Sequence, residues 1–277
     1  MGALQGVSEL FPVSSLAQTI LFRSLFRWDL GNPEDSKFLA FLVALHLATA
    51  VALFIYFWND WKVVLAGFFG GVKRGKLIYD QPSKFAWLLV AGTIVVGAVG
   101  FAFEKKFRIF FDDPSVYWIV ALILIINGIL MLLGDYLKRK ASLAISQQKK
   151  NASELSWTEG TTVGAAQTLA LVPGVSRSGV TIVAGLLAGL SYEEASRFSF
   201  MLATPVIGLA ALLKIPSLLK NHHELLLAIP SSLLAGVTAY FSVAFLMKYF
   251  KEHHRLAPFG YFCIIFGGIA LAILKSR

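Results

Sequence analysis

Six long apolar runs dominate this chain, at roughly 38–58, 85–103, 115–134, 193–213, 225–247 and 257–274. Each is close to the ~20 residues that a helix needs to cross the hydrocarbon core of a bilayer. In lipid the backbone of such a run must satisfy its own hydrogen bonds, and at this length it does so as a helix. The rest of the chain agrees. Of 277 residues, 57% are hydrophobic and only 15% charged, and the mean hydropathy is +0.70, outside the range of a soluble domain of this size. The single cysteine, Cys263, excludes a disulfide framework within the chain. Met1-Gly2-Ala3-Leu4 has neither a basic n-region nor a small-residue cleavage site, so no cleavable signal peptide is expected.

A net charge of +9 raises the question of nucleic acid. The basic residues fall instead in short loops between apolar runs, where they act as topology determinants and lipid-headgroup contacts. The 59–84 loop holds Lys62, Lys73, Arg74, Lys76 and Lys84. The 135–157 loop holds Lys138, Arg139, Lys140, Lys149 and Lys150, and 248–256 holds Lys248, Lys251 and Arg255. The alternate loops are mixed, with Lys105, Lys106 and Arg108 offset by Glu104, Asp112 and Asp113, or net acidic at 28–37. The positive-inside rule places the three basic loops in the cytoplasm and both termini outside.

Two further apolar segments, about 3–27 and 158–190, are broken. The first contains Pro12, Ser14 and Ser15, and the second contains Pro173-Gly174 and Ser176-Arg177-Ser178-Gly179. Irregular backbone at membrane depth is tolerated only against protein or a water-filled cavity, so both segments are expected to be re-entrant helical hairpins. They also resemble each other. Gln5 precedes Pro12, Val13-Ser14 and Ser15, as Gln167 precedes Pro173, Val175-Ser176 and Ser178. With opposite directions of insertion, this is an inverted repeat whose breaks meet near the midplane, the layout that puts a binding site at the repeat interface. The expected fold is an all-α polytopic membrane protein: six transmembrane helices plus two re-entrant hairpins, in one integral domain over 1–277. Repeat one covers about 1–134 and repeat two about 158–277, with the basic cytoplasmic loop 135–157 between them.

The second break has the chemistry of a phosphate cradle. A helix start after Pro173-Gly174 offers free backbone N–H groups. Ser176, Ser178 and Thr181 add hydroxyls, and Arg177 adds a planar fork for phosphate oxygens. Gly174 and Gly179 let backbone come close to a ligand. An arginine at membrane depth needs a partner, and nothing acidic is near it in sequence. Either an anion arrives from outside, or Arg177 pairs with Glu9. In the first break, Glu9 is the only carboxylate among the first 28 residues. Its candidate partners are Arg177 or a divalent metal shared with phosphate oxygens. Gln5 lies one helical turn before Glu9 on the same face. Ser14 and Ser15 suit helix capping, hydrogen bonding to a ligand, or nucleophilic attack with a neighbouring base. His46, inside the first full span, is expected to be a satisfied interior histidine. The pairs His222-His223 and His253-His254 are expected to be solvated.

At these motifs the chain resembles the undecaprenyl-diphosphatase family, the bacitracin-resistance type of integral membrane phosphatase. Gly164–Ile182 carries a complete Pro-Gly-x-Ser-Arg-Ser-Gly-x-Thr motif, followed by Gly185-Leu-Leu-Ala-Gly-Leu and Phe198-Ser-Phe. The first motif, Glu/Gln-x-x-x-Glu followed by Pro-x-Ser-Ser, appears as Gln5, Glu9, Pro12, Ser14 and Ser15. The resemblance implies hydrolysis of undecaprenyl diphosphate to the monophosphate and inorganic phosphate, which recycles the carrier lipid of peptidoglycan synthesis and confers bacitracin resistance. It implies a bacterial plasma-membrane location, an outward-opening site and a divalent cation, Mg2+ or Ca2+. It assigns phosphate binding to Arg177, Ser176, Ser178, Thr181, Gly174 and Ser14. Metal or water falls to Glu9 and Gln5, and Ser15 is a candidate nucleophile beside water. The implied partners are the lipid substrate and membrane lipids, with no nucleic acid and with an oligomer allowed.

Three positions depart from the family pattern. Gln18 stands where a histidine proposed as base is usual, Gln5 replaces a glutamate, and Phe262-Cys263 replaces a Tyr-Arg pair. An amide does not exchange a proton usefully near neutral pH. A slow enzyme is therefore expected, with Gln18→His raising its turnover. A transporter or flippase for a polyprenyl phosphate, or a lipid-phosphate binder without turnover, is the alternative. With the first motif so close to Met1, a few preceding residues are expected to be missing.

Overall fold

A computed structural model describes residues 1–26, 36–144, 150–219 and 222–276. Eleven α-helices account for most of them, and among the described residues there is no β-strand. The first hairpin is α1 (Gly2–Ser8) and α2 (Ser15–Phe26). Then come α3 (Ser36–Tyr56), α4 (Trp58–Lys73), α5 (Gln81–Asp112) and α6 (Tyr117–Ala144). The second hairpin is α7 (Trp157–Ala166) and α8 (Arg177–Leu187), followed by α9 (Tyr192–Leu219), α10 (His222–His253) and α11 (Ala257–Lys275).

Five described helices are long and apolar enough to cross a membrane: Gln81–Phe103, Pro114–Ser142, Tyr192–Leu212, Ala228–His253 and Ala257–Lys275. A sixth span requires α3 and α4 together, and these meet at an angle of 84°. The chain is an all-α polytopic membrane protein. The expected loop at 59–84 is corrected: most of it is helix α4. Its charges hide a helical period, because Trp61, Val64, Gly67 and Gly71 recur on one buried face while Val63, Phe69 and Val72 are exposed. The basic clusters also extend helices instead of ending them. Lys138, Arg139 and Lys140 lie within α6, and Lys248 and Lys251 within α10. Lysine and arginine are good helix formers, and a helix continues into the headgroup region where their charges are solvated. The acidic loop at 28–37 falls largely outside the described residues, as do the side chains of His222 and His223.

The two halves pack reciprocally. The first arm of each hairpin lies on the penultimate helix of the other half, α1 on α10 and α7 on α5. Glycine makes both approaches possible. A Cβ on Gly2 would sit 2.1 Å from the Ser231 carbonyl oxygen, and one on Gly164 would sit 2.5 Å from the Gly92 Cα. Small residues of this kind let membrane helices touch backbone to backbone. Each of these glycines lies three residues before a buried glutamine, Gln5 or Gln167. α3 packs on α9 and α6 on α11, so the remaining long helices also pair across the halves. Asp135 of α6 fixes one such junction: its Oδ1 accepts from the Tyr192 hydroxyl at 2.8 Å and from the Leu256 N–H at 2.7 Å.

Candidate active site

The first break begins where α1 stops at Glu9. Pro12 cannot continue the helical hydrogen-bond ladder, and Ser14 adopts φ 63°, a left-handed conformation rare for a residue with a side chain. That turn is held from two sides. The Ser14 Oγ accepts from the Ala17 N–H at 3.4 Å, and the Gln18 amide donates to the Val13 carbonyl at 3.0 Å. α2 then starts at Ser15, so the Ser15 side chain points back toward the end of α1. Its hydroxyl donates to Glu9 Oε2 at 2.7 Å, and the Gln5 amide donates to the same oxygen at 3.1 Å. One carboxylate oxygen therefore gathers the key side chains of the first motif.

In the second break, α7 gives way to a 3-10 turn over Gln167–Leu171 and then to Val172-Pro173-Gly174. Gly174 has φ 106°, and a Cβ there would strike Ile123 and the Val120 carbonyl of α6. Gly179 faces Met131 in the same way. Both glycines are explained by close packing on α6; neither lines the cavity below. Ser176 caps α8 by accepting from the Gly179 N–H at 3.2 Å, and its own N–H donates to Asn127 Oδ1 at 3.0 Å.

The breaks meet through charge. Arg177 Nη2 donates to Glu9 Oε1 at 3.0 Å, with the two side chains only 12% and 9% exposed. The Ser178 hydroxyl donates to the Phe11 carbonyl at 3.3 Å beside them. The sequence alternatives for Arg177 thus resolve partly in favour of Glu9, its partner from the other half. Its other terminal nitrogen, Nη1, is buried and has no hydrogen-bond partner.

A cavity of about 250 Å³ opens at this junction. Gln5, Glu9, Ser14, Ser15, Ser176 and Arg177 all line it. Three sequence-predicted residues do not. Gly174 packs as described, Ser178 is directed to Phe11, and Thr181 is fully buried, its hydroxyl donating to the Arg177 carbonyl at 2.7 Å. Gln18 also lies off the cavity, with its amide committed to Val13. The expectation that it leaves a gap in the catalytic set therefore changes.

Sequence reasoning undervalued His46. Its Nδ1 donates to the Leu42 carbonyl of its own helix at 2.8 Å. Nε2 faces the Gln5 amide at 3.1 Å and lies 3.7 Å from Glu9 Oε2. The imidazole is satisfied, as expected, yet its side chain is 36% exposed and lines the cavity. An ionisable residue inside a span was the available signal. Gln167 lines the cavity as well, buried, with no partner for its Oε1. Its likeness to Gln5 was the clue. Thr19 and Arg23 also line the cavity, and their four-residue spacing from Ser15 puts all three on one face of α2.

A divalent cation would find few protein ligands here. Among the described residues, no three His, Cys, Asp or Glu side chains cluster tightly enough to form a protein-only metal site. Among the described residues, Glu9 is the one carboxylate on the cavity wall. Magnesium is commonly held by one or two carboxylates together with substrate phosphates, so the residues fit a cation that arrives with a diphosphate.

The sequence as a whole is similar to known proteins. The family described as "Bacitracin resistance protein BacA" matches residues 1–269. An undecaprenyl-diphosphatase of Mycolicibacterium paratuberculosis is 43% identical over 301 aligned residues, covering 100% of this chain and 96% of the relative. Undecaprenyl-diphosphatase 2 of Chromobacterium violaceum is 42% identical, covering 97% and 94% of the two chains. Undecaprenyl-diphosphatase 1 of Burkholderia pseudomallei is 42% identical, covering 96% and 92%. With the motif residues gathered at one cavity and the match spanning nearly its full length, the chain belongs to the bacitracin resistance protein BacA family.

Proposed function

We propose that this chain hydrolyses undecaprenyl diphosphate to undecaprenyl phosphate and inorganic phosphate. It acts in a bacterial plasma membrane with both termini outside, as a pair of inverted repeats with two re-entrant hairpins. The observation that carries the chemistry is the contact chain Ser15–Glu9–Arg177 across the two breaks. Ser15 is the nucleophile and Glu9 its base. The Ser15 Oγ bonds to the terminal phosphorus while the bridging P–O bond breaks, and the serine proton passes to Glu9. Undecaprenyl phosphate leaves with the bridging oxygen. Glu9 gives that proton to the departing bridging oxygen, then takes one from the water that bonds to the same phosphorus and returns it to Ser15 as the Oγ–P bond breaks. Arg177 stabilises charge on the phosphoryl oxygens through its unpartnered Nη1. Such positioning and charge stabilisation supply most of the catalysis in phosphoryl transfer. A divalent cation, Mg2+ or Ca2+, would be held by Glu9 and Gln5 and would neutralise the diphosphate. The apolar wall of the cavity, including Leu16, Ile20 and Leu42, suits the first isoprene unit.

The test is phosphate release from undecaprenyl diphosphate by the wild type, Arg177→Ala and Glu9→Gln, with and without magnesium. Both variants are expected to lose ~10²–10⁴-fold in rate. Equal rates in all three would reject the site. The reciprocal packing of α1 on α10 and α7 on α5 favours one second reading, a polyprenyl-phosphate carrier. Lipid translocation in vesicles with no phosphate released would establish that instead.

A further inference from the structure

Among the described residues, the cavity wall carries more guanidinium than carboxylate groups. Two guanidinium groups line it, Arg177 and Arg23, against one carboxylate among the described residues, Glu9. Glu9 is already engaged by Arg177, Ser15 and Gln5. His46 on the same wall supplies no negative charge. Ionisable side chains inside a membrane bundle mark functional paths, and an excess of one sign in a low-dielectric cleft concentrates ligands of the other.

Arg23 is set farther along α2 than Ser15. Ser15, Thr19 and Arg23 recur every four residues on one face of α2, and all three line the cavity. At 1.5 Å per residue, the Arg23 backbone lies about 12 Å along the helix from that of Ser15. The two phosphorus atoms of a diphosphate, bridged by one oxygen, are far closer together than this. Arg23 sits in the last turn of α2, half-buried, and Thr19 offers a hydroxyl midway.

We propose that Arg23, with Thr19, forms an outer anion site for a phosphate group on its way to or from Arg177. The group is either the head of an arriving lipid diphosphate or the inorganic phosphate freed by hydrolysis. This site rests on the phosphatase reading for its role but not for its binding chemistry.

The experiment compares the wild type, Arg23→Gln and Arg23→Lys in detergent micelles. Isothermal titration with inorganic phosphate reads binding without turnover, and KM for undecaprenyl diphosphate reads arrival of the lipid head. Arg23→Gln is expected to weaken phosphate binding, raise KM, or both, by about fivefold, with the salt dependence flattened. Arg23→Lys should recover most of the loss, which separates charge from folding damage. A change in KM alone identifies the lipid head as the occupant, and a change in phosphate affinity alone identifies the freed product. Unchanged phosphate affinity and unchanged KM in Arg23→Gln would overturn the proposal. A wild type that binds phosphate but never releases it from the lipid would reject the phosphatase reading, and the titration would still decide the outer site.

Discussion

Breaking the Glu9–Arg177 pair from its two sides has unequal consequences. Arg177→Ala leaves a carboxylate that is 9% exposed without its guanidinium. Removing one member of a buried ion pair costs about 3–5 kcal/mol. Glu9→Gln keeps an oxygen in place to accept from Arg177 and should cost less. Thermal unfolding in detergent should rank Arg177→Ala well below Glu9→Gln, and the reverse order would mean the pair is not buried in the working protein. A second residue-level outcome concerns Gln18. Because its amide is directed to the Val13 carbonyl and not into the cavity, Gln18→His should leave phosphate release within about threefold of wild type, far from the ~10²-fold or more that a general base supplies. A large gain in rate would show that position 18 reaches the substrate after all. Much of the site was readable in advance, because Gln5, Glu9, Ser15 and Arg177 are polar residues that an apolar segment tolerates only with a purpose. What sequence could not supply was direction. Ser176 and Ser178 look alike as text, yet only Ser176 lines the cavity while Ser178 turns to Phe11.

At the scale of elements, the hairpins hold their geometry through backbone proximity. Gly164 and Gly92 leave no room for a methyl group between α7 and α5. Alanine at either position gains helix propensity but must push two backbones apart, at a net cost of about 1–3 kcal/mol. Gly164→Ala should lower the unfolding temperature and also the phosphatase rate, since α7 leads directly into the second break. Gly268, which has open space around its Cβ position, supplies the control: Gly268→Ala should leave both unchanged. A neutral Gly164→Ala would show that the arms are held some other way. The long apolar helices were legible because twenty apolar residues in lipid have one simple solution. α4 was not, because Asp60, Lys62 and Lys73 lie on a helix whose buried stripe is only four residues wide. Nor was its tie to α9, where Arg197 bonds both Asp60 and Glu194.

At the scale of the whole molecule, two helical halves each bring one broken segment to a shared cavity, and neither half alone holds both Glu9 and Arg177. The proposed orientation in the membrane rests on the basic helix ends. Ser142→Cys, at the end of α6, should react with an impermeant thiol reagent only from the cytoplasmic side. Ser276→Cys, after α11, should react only from outside. Both positions are exposed, whereas the native Cys263 is buried and should contribute no background. Labelling of both from one face would invert or break the topology. The pairing of the halves was foreshadowed by the Gln-to-Pro likeness of the two breaks, but the reciprocal seating of α1 on α10 and α7 on α5 required three dimensions. The central claim is that the carboxylate of one half activates Ser15 against a phosphate held by the arginine of the other. The most direct measurement is the initial rate of phosphate release from undecaprenyl diphosphate by Ser15→Ala, beside its affinity for the lipid. The account predicts a rate ~10²–10⁴-fold below wild type with affinity retained, and a Ser15→Ala protein that turns over like wild type would contradict it.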